Sequence, residues 1–187
     1  MPKAKNQSRG GAKFIFYEEP YIYMLEIHRK AIDNVINEWK KDPKVLCILL
    51  YGSVARGTAN KNSDIDIEVF REGGKTRHIE TKIDGVDIDL YVYPVKKIIE
   101  HVKKNPFLTY PYLEEKILFE RKSFATKIIG SINEYFNENK EIKNFWKVWT
   151  KEYLENKKNA KKIRDVDEFY KEVKKLFSDK KKIKLPF

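Results

Sequence analysis

Cysteine is nearly absent: Cys47 is the only one in 187 residues. A lone cysteine excludes an intramolecular disulfide, and no Cys/His cluster offers a zinc site. Cys47 lies inside an apolar run, where buried packing is its expected role. No apolar run reaches membrane-spanning length. Residues 1–13 carry Lys, Gln, Ser and Gly but lack the apolar stretch of a secretory signal. The expectation is a disordered tail over 1–13, no membrane partner and a cytoplasmic address. A Gly-x-x-x-x-Gly-Lys phosphate loop, a Rossmann glycine triplet and a Gly-x-Ser-x-Gly elbow are all missing. His28, His78 and His101 are scattered without metal-ligand spacing and read as structural or surface residues.

Periodicity divides the chain in two. Ile32, Val35, Ile36 and Trp39, with Leu25 ahead of them, recur at helical spacing between Pro20 and Pro43. Val45–Tyr51 is a near-continuous apolar run, as in a central buried strand. A short helical turn is expected over Val54–Arg56. Residues 64–70 alternate: Asp64, Asp66 and Glu68 take one face, Ile65, Ile67 and Val69 the other. Gly73-Gly74 predicts a hairpin turn into a strand over Arg77–Ile83, and Gly85 predicts another turn. Val86–Tyr93 alternates Asp87, Asp89, Tyr91 and Tyr93 against Val86, Ile88, Leu90 and Val92. A helix is expected from Pro94 to about Lys103. From Tyr112 onward only helices are expected, the first marked by Leu113, Ile117 and Leu118. Later ones are marked by Ile128 to Phe136, by Ile142 to Tyr153 and by Val166 to Phe177. Their aromatic stripes read as helix-packing core.

Asp64 and Asp66 stand two apart, so both side chains leave one face of an extended segment. Like charges held side by side favour a cation between them. Mg²⁺ takes oxygen ligands, keeps waters and bridges to substrate phosphates. The small Gly52-Ser53 turn lets backbone N–H groups approach a phosphate. Together these features point to phosphoryl or nucleotidyl transfer.

The same residues carry a resemblance. Gly52, Ser53, Ala55, Arg56, Gly57, Ser63, Asp64 and Asp66, followed by the acidic strand Val86–Tyr93, resemble the nucleotidyltransferase superfamily that includes DNA polymerase β. The pattern is most similar to its minimal prokaryotic branch and to antibiotic-modifying nucleotidyltransferases. The resemblance implies an α+β fold. A small mixed β-sheet core like the polymerase β palm, with flanking helices, would occupy residues 14–105. A C-terminal helical bundle would follow over 106–187.

The resemblance also implies roles. Asp64 and Asp66 would hold two Mg²⁺ ions, with Mn²⁺ an alternative. A third carboxylate would ligate or take the acceptor's proton; Asp87 and Asp89 are both candidates. Asp89, five residues before Pro94, is preferred. Glu68 is expected to be peripheral. Gly52 and Ser53 would cradle the phosphates of an NTP substrate. Arg56 would contact phosphate or pair with an acid to tie down its loop. Ser63 would bond the loop or the nucleotide, and Thr58, Asn60 and Lys61 would touch phosphate weakly. The implied reaction transfers an NMP to an acceptor hydroxyl of a small molecule, protein or RNA. A catalytically inactive nucleotide-binding or partner-binding module, and a basic nucleic-acid-binding protein, are the alternatives. Dimerisation is left open.

The net charge of +11 is uneven. Residues 1–139 hold 23 Lys/Arg and 20 Asp/Glu, whereas residues 140–187 hold 16 and 8, a net of +8. Such a field attracts nucleic acid or an acidic partner, with Lys157, Lys158, Lys161 and Lys162 as the candidates. The bland alternative is a solvated helix surface.

Overall fold

Val45–Tyr51 is apolar at nearly every position, so neither face of this strand tolerates water, and it takes an interior place in a sheet. The computed structural model describes residues 26–159, 161 and 165–187, together with the backbone of Ser8–Arg9 and Ala12–Lys13. Leu25 and Pro20, expected at the start of the first helix, lie outside the described residues. The short strands β1 (Ser8–Arg9) and β2 (Ala12–Lys13) pair antiparallel, and the other residues of the expected tail over 1–13 lie outside the described residues.

The fold is α+β. Helix α1 (Glu26–Trp39) is followed by β3 (Val45–Tyr51), the single turn α2 (Gly52–Ala55), β4 (Ile65–Arg71), β5 (Arg77–Ile83) and β6 (Val86–Pro94). A further strand, β7 (Lys116–Glu120), completes a five-stranded sheet of order β5-β6-β4-β3-β7. Only β4 and β6 run parallel. One face of the sheet is apolar. Ile48, Leu50, Ile65, Ile67, Val69, Ile88, Leu90 and Val92 are buried there against Ala31, Ile32 and Val35 of α1. Each such side chain contributes about 1.5–3 kcal/mol on leaving water. The alternating partners in β4 and β6 must therefore face the other way, which is how the sheet gathers its carboxylates.

Two expectations are corrected. Gly73-Gly74 does not close a hairpin: β4 and β5 are not neighbours, because β6 inserts between them, parallel to β4. A parallel pair needs a crossover, and the segment containing β5 provides it. The charged β5 then lies at the edge, where unpaired backbone meets water, and charge there discourages sheet extension. The true hairpin is β5–β6, closed by Asp84-Gly85 with φ of +50° and +83°. The second correction concerns Leu113, Ile117 and Leu118. They mark no α-helix: Leu113 ends a 3-10 turn, and Ile117 and Leu118 belong to β7, which pairs antiparallel with β3.

The chain divides into two compact units. One comprises residues 1–98 and 114–126, the other residues 99–113 and 127–187. The division interleaves rather than falling near residue 105, because residues 114–126 supply β7 to the sheet.

The second unit is helical. It takes the end of α3 (Val95–Lys104), 3-10 turns at Pro106–Leu108 and Tyr110–Leu113, most of α4 (Phe124–Glu138), then α5 (Lys140–Lys158) and α6 (Val166–Phe177). Trp146 is buried at its centre, 5.0 Å from the Phe169 ring and 5.7 Å from that of Tyr110. Its indole N–H donates to the Phe107 carbonyl at 2.7 Å, so no polar atom of the ring is stranded. The Asp165 carboxylate caps α6 by accepting from the Glu168 N–H at 2.9 Å. Lys157 and Lys158, in the last turn of α5, are exposed, as is Lys161. Lys162 lies outside the described residues.

Candidate active site

Strand register decides which carboxylates meet. In the parallel β4–β6 pair, Asp66 stands opposite Asp89, Glu68 opposite Tyr91 and Phe70 opposite Tyr93. Residues directly opposite share a face, so Asp66 and Asp89 form a carboxylate pair on the polar side of the sheet. Asp87 is exposed and pairs with Lys82 on β5 at 3.0 Å. Of the two candidates for third carboxylate, Asp89 is the one in register with Asp66. Asp64 lies on the loop leading into β4 and is exposed. Among the described residues, no three His, Cys, Asp or Glu side chains form a ready-made metal cage.

The glycine turn packs directly on this pair. Gly52 has φ +73°, and a Cβ built there would lie 1.7 Å from Asp66 Oδ2. No other residue type fits between the backbone and that carboxylate without displacing it. Ser53 follows, with its Oγ buried and without a hydrogen-bond partner among the described residues. Arg56 Nε is in the same condition. Buried polar atoms are rarely left unsatisfied, so two in one loop beside a carboxylate pair indicate where a polar ligand belongs.

The loop beyond α2 is fixed from within. The Ser53 carbonyl accepts from the Thr58 N–H at 3.0 Å, and Ser63 Oγ accepts from the Asn60 N–H at 2.9 Å. Ser63 thus bonds the loop, one of the two roles considered for it. Buried His28 on α1 donates from Nε2 to the Ser63 carbonyl at 3.0 Å and anchors the loop just ahead of Asp64. That structural role fits the sequence reading of His28.

Other acids and rings on this face were less legible. Glu68 and Glu115, the residue before β7, are half-buried, and each has one carboxylate oxygen buried without a hydrogen-bond partner among the described residues. Burial pushes Glu68 up to about 7, and burial with the nearby Glu68 charge holds Glu115 well above the carboxylate range. Tyr51, opposite Asp66 on β3, is raised by burial and by the Asp66 and Asp89 charges. Tyr93 is pushed up to about 12 by burial first and then by Glu68 and its neighbours. Cys47 is buried as expected, and burial raises its thiol strongly. His78, read from sequence as an ordinary residue, hydrogen-bonds through Nε2 to Asp89 Oδ1.

Of three comparisons with known proteins, the family model matches this segment. The chain has no match among curated proteins. One structural neighbour is a nucleotidyltransferase-like protein from Exiguobacterium sibiricum 255-15, 14% identical, with a TM-score of 0.48 over 57% of this chain and 38% of that one. The family model of the nucleotidyltransferase domain matches residues 32–124, which contain α1 from Ile32 onward, the Gly52-Ser53 turn, the whole five-stranded sheet and both carboxylate strands. Over residues 32–124 the chain is therefore a member of the nucleotidyltransferase domain family.

Proposed function

We propose that the chain is a Mg²⁺-dependent nucleotidyltransferase that moves an NMP from an NTP to an acceptor hydroxyl and releases pyrophosphate. The observation that carries this reading is the juxtaposition of Asp66, Asp89 and the Gly52 backbone. Two carboxylates in register supply hard oxygen donors, and the turn beside them leaves room only for hydrogen at the α-carbon.

The residues present fit a divalent cation. Mg²⁺ is commonly held by one or two carboxylates, with waters and substrate phosphates completing its octahedron. Asp66 and Asp89 would hold it, with Asp64 on the adjoining loop as a further ligand. The cation would neutralise triphosphate charge and lower the pKa of the acceptor hydroxyl.

The chain's own groups do the positioning. Gly52 admits the β- and γ-phosphates to close range, and the Ser53 hydroxyl donates to one of them. Arg56 offers a planar donor fork to the same anion. The acceptor oxygen forms a bond to the α-phosphorus as the bond from that phosphorus to the β-bridging oxygen breaks. Pyrophosphate carries away the electron pair, and Asp89 receives the acceptor's proton. Rate enhancement of this kind comes from orientation and charge stabilisation rather than a covalent intermediate.

The test is incubation with each α-labelled NTP, Mg²⁺ and panels of small-molecule, protein and RNA acceptors. Label transferred to one acceptor class with stoichiometric pyrophosphate supports the reading. NTP binding without pyrophosphate release under every condition would leave a nucleotide-binding module in its place.

A further inference from the structure

His78 sits on the edge strand β5, opposite Tyr91 of β6. Its ring lies flat on that of Tyr91, with centroids 4.2 Å apart and planes within 5°. Tyr91 in turn stacks on Tyr93 at 5.8 Å, and Lys97 Nζ caps the series 4.9 Å from the Tyr93 centroid. One face of the half-exposed imidazole is thus covered by the Tyr91 ring, which is itself backed by Tyr93. From that position Nε2 donates to Asp89 Oδ1.

Asp89 needs such a donor. It is flanked in register by carboxylates on both sides, Asp66 on β4 and Glu80 on β5. Like charges directly opposite one another repel, and an unrestrained Asp89 would turn away from Asp66. An N–H fixed on one carboxylate oxygen sets the orientation of the other. Asp87, two residues earlier, makes an exposed ion pair with Lys82, whose ammonium sits on a flexible stem.

We propose that His78 is a positioning residue for Asp89, holding the carboxylate in the orientation that a divalent cation and the acceptor hydroxyl require. The inference rests on the nucleotidyltransferase reading above. Hydrogen-bond partners of metal-ligating groups commonly carry a 10–100-fold effect on metal affinity or activity.

Three variants test it: His78→Ala, His78→Gln and Asp66→Asn. Mn²⁺ binding is followed by electron paramagnetic resonance in the presence of ATP, and pyrophosphate release is followed with the acceptor panels of the labelling experiment above. His78→Ala should weaken Mn²⁺ binding about tenfold and lower kcat about 10–100-fold, with KM for ATP within about twofold. His78→Gln keeps an N–H donor on a side chain of similar reach and should recover most of both losses. A merely structural histidine would show no such rescue. Wild-type Mn²⁺ affinity and kcat in His78→Ala, with Asp66→Asn inactive, would overturn this inference and leave the parent reading intact. An Asp66→Asn variant that binds Mn²⁺ and turns over like the wild type would overturn both.

Discussion

Gly52 is tightly constrained. Its positive φ and the Asp66 carboxylate behind it exclude a side chain twice over, once by backbone strain and once by collision. Gly52→Ala should therefore cost about 1–3 kcal/mol of stability and should also displace Asp66. Thermal melts with and without ATP·Mg²⁺ check both effects: a lowered melting temperature and loss of the ligand-induced rise. An alanine variant that melts and binds like the wild type would mean that the turn does not press on Asp66. At this scale the sequence was informative where the chemistry is local. Gly52, Ser53, Asp64 and Asp66 fall within 15 consecutive residues, and their order alone names the turn and the acids. His78 was not legible, because nothing within its own segment shows that it stacks on Tyr91 and reaches Asp89. That contact exists only once the β5–β6 register is set.

Among the elements, β3, β4 and β6 were readable because one or both faces are wholly apolar and the period of two is unbroken. Strand β7 was not. Leu113 and Ile117 are four apart, which suits a helix face, while Ile117-Leu118-Phe119 is too short an apolar run to distinguish strand from helix. Gly73-Gly74 misled for a related reason: a turn signal is local, but the strand that pairs is chosen by the whole sheet. Missing β7 also hid Glu115, which β7 brings close to Glu68. The pair has a consequence for stability. Burial keeps protons on these acids in the folded state that the unfolded chain releases above about 4.5. The folded state is therefore unpenalised below that pH and loses stability as pH rises through about 7, the folded value of Glu68. A shift of that size corresponds to about 3 kcal/mol. Glu115→Gln removes one of the two charges and should make the protein about 1–3 kcal/mol more stable at pH 8, with little difference at pH 4.5. Urea melts at the two pH values decide it. Equal stabilisation at both would trace the effect to packing instead of charge.

For the molecule as a whole, charge and chemistry are distributed differently along the chain. The carboxylate pair and the Gly52-Ser53 turn belong to the nucleotidyltransferase domain, whereas residues 140–187 carry a net +8. The sequence alone showed that asymmetry, and Lys157, Lys158 and Lys161 are exposed to act on it. Exposed charge of this kind changes association rate and partner choice more than the chemical step. Converting Lys157, Lys158, Lys161 and Lys162 together to Gln should weaken capture of an anionic acceptor and flatten its salt dependence, with NTP affinity unchanged. Binding of RNA, DNA and acidic proteins that survives the substitution would assign these lysines to a solvated surface.

In the proposed reaction Asp66 and Asp89 act together on a metal-bound nucleotide. Its most direct test is pyrophosphate release from NTP by the wild type and by Asp66→Asn, with and without Mg²⁺, beside thermal melts of both proteins without metal. Release should require Mg²⁺ and fall about 10²–10³-fold or more in Asp66→Asn, with the two melting temperatures within a few degrees. Mg²⁺-independent release, or an Asp66→Asn protein that keeps full activity, would contradict it.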